Sequence, residues 1–522
     1  MNDTPTLFDF MSNQSGKILD QLLQHIGLTF ISLLIAVVIG VPLGIFITRK
    51  RKVAAIVLGF TGVLQTIPSI ALLGFMIPLL GIGPVPAIVA LFLYALLPIV
   101  RNTFTGITNV DQAVIESARG MGMTKNQILT KVELPLSMPV ILAGIRTATV
   151  INVGVATLAS YIGAGGLGEF IFGGIALNNT NMILAGAIPA ALLAIFFDFI
   201  LSHVQKLNLK KVRTAFWMLP LCLVLLSSFY ILPEFYRSKM LAGFTPEFMG
   251  RKDGYPGLKK VYNLNIRTVV ISDAVMYKAA FEKKLDVIDG YSTDGRLKAF
   301  HLQVLEDDKH LFPPYYAAPL VRKEVLKKYP ELENVLNQLA GKINDSVMTE
   351  LNYHVDYLKQ SPQKVAKDFL MEQGLYKSPL SEGEDYVTIG SKIFGEQYIL
   401  AEMYSMLIKG NTHLQVTTKT GLGGTKICFD AIANKQIDIY PEYTGTGLLV
   451  ILQTPDSIVA SFHGDKEKIY DYVKNKFDSK YNVRWLKPIG FNNTYALMMR
   501  KKEAVRLKIT SISDLKNYLS KK

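Results

Sequence analysis

Cysteine is nearly absent from these 522 residues: Cys222 and Cys428 are the only two, and they lie far apart. That excludes a disulfide framework, a zinc site of paired thiolates and a dithiol redox motif. Charge is scarce as well. Charged residues make up 19% and hydrophobic ones 50%, a balance too apolar for an ordinary soluble protein of this length. The seven histidines never form His-x-x-x-His, no Gly-x-Ser-x-Gly occurs, and no Gly-x-x-x-x-Gly-Lys-Ser/Thr loop is present to cradle phosphates. A zinc hydrolase, a serine hydrolase and a P-loop ATPase within this chain are thereby excluded. No catalytic residue, metal or cofactor is expected.

What is abundant is apolar sequence in long runs. Runs able to cross about 30 Å of hydrocarbon occur near 27–47, 53–79, 83–100, 136–160, 182–203 and 215–232, which predicts six spans. From about residue 240 onward, short apolar strands alternate with polar helical stretches, as in a soluble α/β unit. The first 26 residues hold one base, Lys17, and lack the basic start and small-residue cleavage site of a signal peptide, so the first span is expected to be retained. The formal net charge of +14 is explained by position. Arg49 to Lys52 follow the first span, Arg101 the third, and Lys206, Lys210, Lys211 and Arg213 the fifth. The positive-inside rule puts these loops in the cytoplasm of a multi-pass plasma (inner) membrane protein, with the N-terminus and soluble part outside. Nucleic acid is not an expected partner. Arg146 and Asp198 lie at similar depths in spans four and five and read either as a pair inside the bundle or as part of a translocation path.

Between spans three and four the chain reads Asp111-Gln-Ala-Val-Ile-Glu-Ser-Ala-Arg-Gly-Met-Gly122 and continues to Val132-Glu-Leu-Pro135. This predicts an amphipathic helix, a glycine break, a second short helix and a proline that opens the next span. Such a segment also suits a helix lying on the bilayer. It resembles the coupling loop of ABC-importer permeases, with Glu116, Ser117, Ala118, Gly122, Val132, Leu134 and Pro135 on that pattern and Ser117 the one soft departure. The resemblance implies a type I permease fold, with a separate ATP-binding subunit in two copies and a permease homodimer in the bilayer. Small residues Ala118, Gly120 and Gly122 would allow close approach of the ATPase, with Glu116 and Arg119 at the rim. Gly144-Ile-Arg-Thr-Ala-Thr149 and Gly163-Ala-Gly-Gly-Leu-Gly168 extend the likeness toward osmoprotectant and quaternary-amine permeases, although the second also reads as a tight turn.

In the soluble part, loops that carry Tyr, Thr, Asn or Asp beside Gly or Pro recur between α/β elements. They include Asp289 to Gly295, Phe312 to Ala317, Val387 to Gln397, Gly421 to Lys426, Tyr440 to Thr446 and Phe491 to Ala496. Polar aromatics so placed suit a cleft around a small cation, because ring faces attract a quaternary ammonium that cannot hydrogen-bond. These segments are similar to the two-lobed, type II binding domain for glycine betaine, carnitine, choline or ergothioneine. The resemblance implies a cage of Tyr440, Tyr291, Tyr315 and Tyr495, with Gln397, Thr425, Thr444, Asn493 and Asp294 as polar contacts. In that family the Val387 segment opens the domain and the Leu302–Tyr376 segment closes it. Here the order is reversed, which predicts a circularly permuted domain.

The expected organisation is therefore a permease at 1–213 with its coupling loop at 111–135, a sixth span and tether at 214–239, and an extracytoplasmic binding domain at 240–522. Within that domain, 240–376 and 387–522 are joined by 377–386. The expected function is uptake of a trimethylammonium zwitterion, with ergothioneine ahead of glycine betaine, carnitine and choline. A membrane-anchored sensor is the remaining alternative, and the coupling loop argues against it.

Overall fold

The computed structural model describes residues 6–177, 179–205, 225, 240–381 and 383–520. The chain divides into two compact units. One gathers the described residues of Met1–Ile175, Asn179–Lys239 and Val269–Val275, the other those of Ala176–Asn178, Met240–Thr268 and Met276–Lys522.

The first unit is helical. A short α1 (Leu7–Asn13) precedes α2 (Ser15–Thr48), α3 (Arg51–Thr66), α4 (Ser69–Leu80) and α5 (Pro84–Thr108). Next come α6 (Gln112–Gly120), α7 (Lys125–Ile128), α8 (Leu134–Ala159), α9 (Gly168–Ala176) and α10 (Thr180–Gln205). Among the described residues α2, α5, α10 and the stretch Lys125–Ala159 that ends in α8 are long and apolar enough to cross a membrane. The run expected at 53–79 is a broken pair, α3 and α4 meeting at 100°. Pro68 caps α4 in an extended conformation, where a ring without an N–H cannot continue the helix before it. The sixth expected span, 215–232, lies outside the described residues apart from Leu225.

Lipid offers no hydrophobic force between helices, so close contact between α2, α5 and α8 rests on small residues. A Cβ added at Gly44 would sit 2.5 Å from Thr103, and one at Gly144 would sit 2.7 Å from the Pro98 carbonyl oxygen. Arg146 and Asp198 form a two-pronged pair between α8 and α10, Nε to Oδ1 at 2.5 Å and Nη2 to Oδ2 at 2.7 Å.

The second unit is α/β. Its strands are β1 (Leu241–Phe244), β2 (Arg267–Val270, of which Arg267 and Thr268 belong to this unit), β3 (Val287–Tyr291), β4 (Leu302–Val304) and β5 (Ala317–Arg322), then β6 (Tyr386–Gly390), β7 (Gln415–Lys419), β8 (Ile439–Tyr443), β9 (Val483–Trp485) and β10 (Tyr495–Arg500). They form two five-stranded sheets, ordered β2-β1-β3-β10-β4 and β7-β6-β8-β5-β9. The two orders are the same when each sheet is counted from its own first strand. In both, the fourth position is an antiparallel strand contributed by the other half of the chain. The two crossover segments run side by side and are bridged at Tyr316 and Asn492.

Helices α11 (Asp345–Asp356), α12 (Gly395–Asn411) and α13 (Ile512–Ser520) matter below. The start of α13 is tied to Glu306, just after β4, by Ile512 N–H donating to the Glu306 carbonyl at 3.0 Å. The end of the chain and β1 thus share the first lobe. The described residues of 377–386 are exposed and lead into β6 of the second lobe.

Candidate ligand-binding site

The carboxyl ends of the strands and the crossovers bring aromatic residues together. Tyr291 ends β3 and Tyr495 opens β10, directly opposite in register. Their rings lie 4.9 Å apart and their hydroxyls 3.2 Å apart. Tyr315 meets Tyr495 edge-on at 5.9 Å. On its other side Tyr291 stacks on Phe394 at 6.0 Å, and Phe394 on Tyr443 at 6.4 Å. A strip Tyr291–Phe394–Tyr443 therefore runs from the first lobe to the second.

Two of the four expected cage tyrosines already face a cation of the protein itself. The Arg251 guanidinium lies 4.8 Å from the Tyr495 ring centre and 5.8 Å from that of Tyr315. It forks onto Asp253, Nε to Oδ1 at 3.0 Å and Nη2 to Oδ2 at 2.8 Å, and donates to the Tyr315 hydroxyl at 2.7 Å. The Tyr315 hydroxyl in turn donates to Asp253. Burial pushes the Asp253 carboxyl up, but Arg251 and the Tyr315 hydroxyl outweigh it and hold the group below its ordinary value. Burial opposes the charge on Arg251 as well, yet Tyr315, Asp253 and Tyr495 raise its pKa well above the ordinary value. The pair stays ionised.

Tyr440 is not brought to the strip. Side chains alternate along β8, so Ile439 and Tyr443 join one core cluster while Tyr440 joins the other, with Cys428, Phe477 and Trp485. Its hydroxyl donates to buried Glu442 at 3.1 Å. Glu442 also accepts from Lys392 Nζ at 2.6 Å, and Lys392 lies 5.0 Å from the Tyr443 ring centre.

The expected polar contacts divide in the same way. Gln397 accepts from the Lys392 N–H and donates to the Pro441 carbonyl and the Tyr443 hydroxyl. Thr444 joins the crossover, donating to the Pro314 carbonyl and accepting from the Tyr316 N–H. Asp294 is held by Arg296 at 2.6 Å and 2.9 Å; burial raises its pKa, and the guanidinium lowers it further than that. Thr425 is buried at the head of its helix behind the glycine loop. Asn493 lies beside the strip, its N–H donating to the Tyr315 carbonyl at 3.1 Å.

Four residues at the site were not singled out from the sequence. Phe394, Glu396 and Tyr443 lie inside segments that drew attention for their neighbours, and strand parity would have preferred Tyr443 to Tyr440. Arg251 carries no local signal at all. Glu396, the second residue of α12, is buried and accepts four hydrogen bonds. Its Oε1 takes the Tyr443 hydroxyl at 2.6 Å and Asn493 Nδ2 at 2.8 Å, and its Oε2 takes the Thr293 hydroxyl and Asn352 Nδ2, each at 2.9 Å. Burial raises its pKa, while these donors pull it partly back.

The expected coupling segment forms as α6 and α7 around a small core of its own. Asp111 caps α6 by accepting from the Ala113 N–H at 2.8 Å, and Gly122 at φ 78° ends it with the Met123 N–H returning to the Ala118 carbonyl. Ala118 is buried there with Ile115 and Ile128, so it supports the loop from within. Glu116, Arg119, Gly120 and Gly122 are exposed. Leu134 and Pro135 open α8, and the preceding residue, Glu133, is buried and paired with Arg49.

Residues 233–372 and 385–522 match the family described as the substrate binding domain of ABC-type glycine betaine transport systems, and residues 40–214 match the inner membrane component of binding-protein-dependent transport systems. The chain belongs to this importer family. Its permease half is 49% identical over 207 residues to the carnitine transport permease protein OpuCB of Listeria monocytogenes, covering 40% of this chain and 95% of that protein. It is 46% identical over 200 residues to the choline transport system permease protein OpuBB of Bacillus subtilis, covering 38% and 92%. The ergothioneine transport permease/ergothioneine binding protein EgtU of Helicobacter pylori is 29% identical over 484 residues, covering 65% of this chain and 88% of that protein. The chain is thus a permease fused to a substrate-binding domain for quaternary-amine or osmoprotectant uptake. It is a transport subunit and not an enzyme, and its ATPase is a separate polypeptide.

Proposed function

We propose that the chain captures a trimethylammonium zwitterion, with ergothioneine foremost, and passes it through a path formed by two copies of its permease. The observation that carries this reading is the strip Tyr291–Phe394–Tyr443 at the crossing between lobes, with the half-buried Tyr291 at its rim. Ring faces in such a strip attract a quaternary ammonium, worth about 2 kcal/mol or more once the cation is desolvated. The likeness to a fused ergothioneine permease and binding protein across both halves favours ergothioneine. Likeness of the permease half to carnitine and choline permeases keeps glycine betaine, carnitine and choline as the alternative. Tyr495 and Tyr315 back the strip, and Asn493, Gln397, Thr425, Thr444 and Asp294 form its polar surround.

On this reading the permease of 1–213 has the type I arrangement, and 214–239 supplies a sixth span and tether. The binding domain of 240–522 lies outside the cell, and the exposed face of the 111–135 loop docks one of two ATPase copies. The domain itself is a permuted type II form. The shared lobe of β1 and α13 and the exposed 377–386 junction support the permutation. Isothermal titration of the full chain in lipid nanodiscs with ergothioneine, carnitine, choline and glycine betaine tests the reading. Ergothioneine should bind most tightly, and absence of binding by all four would refute it.

A further inference from the structure

Glu396 dictates how two amides are turned. A carboxylate only accepts, so Asn493 and Asn352 must both present Nδ2 to it, at 2.8 Å and 2.9 Å. Asn352 Nδ2 also donates to the Thr293 carbonyl at 2.9 Å, which leaves its amide no freedom to flip. Turning Asn493 over would set Oδ1 against Glu396 Oε1, two acceptors at hydrogen-bond distance. The consequence is a buried carbonyl oxygen on Asn493, a residue 5% exposed, that has no partner among the described residues.

That oxygen belongs to a side chain whose nitrogen and backbone lie beside the strip. Asn493 Nδ2 shares Glu396 Oε1 with the Tyr443 hydroxyl, and the Asn493 backbone holds Tyr315 two residues before Tyr495. Gln397 has both ends bonded to the protein, whereas Asn352 also has an Oδ1 without a partner among the described residues; of the two open amides, Asn493 is the one tied to Tyr443 through Glu396 Oε1 and to Tyr315. Buried polar groups in native proteins are hydrogen-bonded, and leaving one unpaired in a complex costs affinity.

We propose that Glu396 is a positioning residue that turns the Asn493 carbonyl toward the ligand, and that the site therefore selects quaternary amines carrying an N–H or O–H donor besides their cation. This rests on the quaternary-amine reading above. Ergothioneine has ring N–H groups, and carnitine and choline have a hydroxyl; glycine betaine has no donor. A site built to hydrogen-bond a donor rejects the analogue lacking it, because its own acceptor is left unpaired.

The test is the selectivity ratio, measured by titrating the full chain in nanodiscs with ergothioneine and with glycine betaine. The Asn493→Leu variant should lose at least tenfold more affinity for ergothioneine than for glycine betaine. Glu396→Gln, which frees the amide, should lower the same ratio and serves if the first variant does not fold. A merely structural role would weaken both ligands alike. Equal losses, or an unchanged ratio in the folded variants, would overturn the proposal while leaving the quaternary-amine reading intact. Wild-type protein that binds neither these two nor carnitine and choline would instead sink the reading and the inference together.

Discussion

Arg251 lies where a ligand cation was expected, on the faces of Tyr495 and Tyr315, and it is held there by Asp253. Removing one member of a buried pair leaves the other charge uncompensated, at about 3–5 kcal/mol. Asp253→Asn should therefore lower the thermal midpoint of the binding domain at pH 7, followed by calorimetry of the full chain. The folded pKa of Asp253 is below its ordinary value, so its stabilisation is present above the unfolded value of about 3.9 and is lost as pH falls further. The gap between wild type and variant should then close below about pH 4; a gap that persists there would assign the effect to another group. The two tyrosines of β8 make a second contrast. Tyr443→Ala should weaken ergothioneine binding by about 1–2 kcal/mol, whereas Tyr440→Phe, which removes only a hydroxyl bonded to Glu442 on the other face of the sheet, should leave the dissociation constant unchanged.

The elements of the membrane half were legible because their signals are local. Apolar runs located the helices, and the sequence from Asp111 to Pro135 marked the amphipathic α6, its glycine break and the short α7. Pro68 was legible too, yet run length alone joined α3 to α4. The site was less legible because its contacts are distant in sequence. Tyr291 and Tyr495 are 204 residues apart, and Asn493 and Glu396 are 97 apart. Nothing near Arg251 reveals which rings it will cover. In the 111–135 segment, proposed above to dock the ATPase, a Cβ at either Gly120 or Gly122 would meet open space, but only Gly122 has a positive φ. Gly120→Trp therefore tests docking without the backbone strain that any side chain at Gly122 would add. Uptake in proteoliposomes with the ATPase should be lost while ligand binding persists. Normal uptake would remove this face from the contact.

For the molecule as a whole, the matching strand orders give the α/β unit the same topology read from β1 or from β6. On the proposed permutation, both crossovers remain intact. The described residues of 377–386 are exposed, and among them only Tyr386, the first residue of β6, belongs to a strand. A protease site placed there and cleaved should leave ergothioneine affinity within about twofold, because the two halves are held by strands exchanged between lobes and not by the junction alone. Loss of binding on cleavage would show that the junction holds the lobes together.

The exchanged strands also set the order in which the domain can become a folded body. The first sheet is missing its fourth-position strand until β10 is made, and β10 fills a gap between β3 and β4. The second sheet receives β5 long before β6 to β9 exist. The first lobe cannot close until β10 arrives, and the second must hold β5 until β9 is made, so the domain assembles late, through contacts of high sequence separation that form slowly. During that interval β3 and β4 expose unpaired edges, and a chain released before Tyr495 would hold every strand of the second sheet but leave the first sheet without its fourth-position strand.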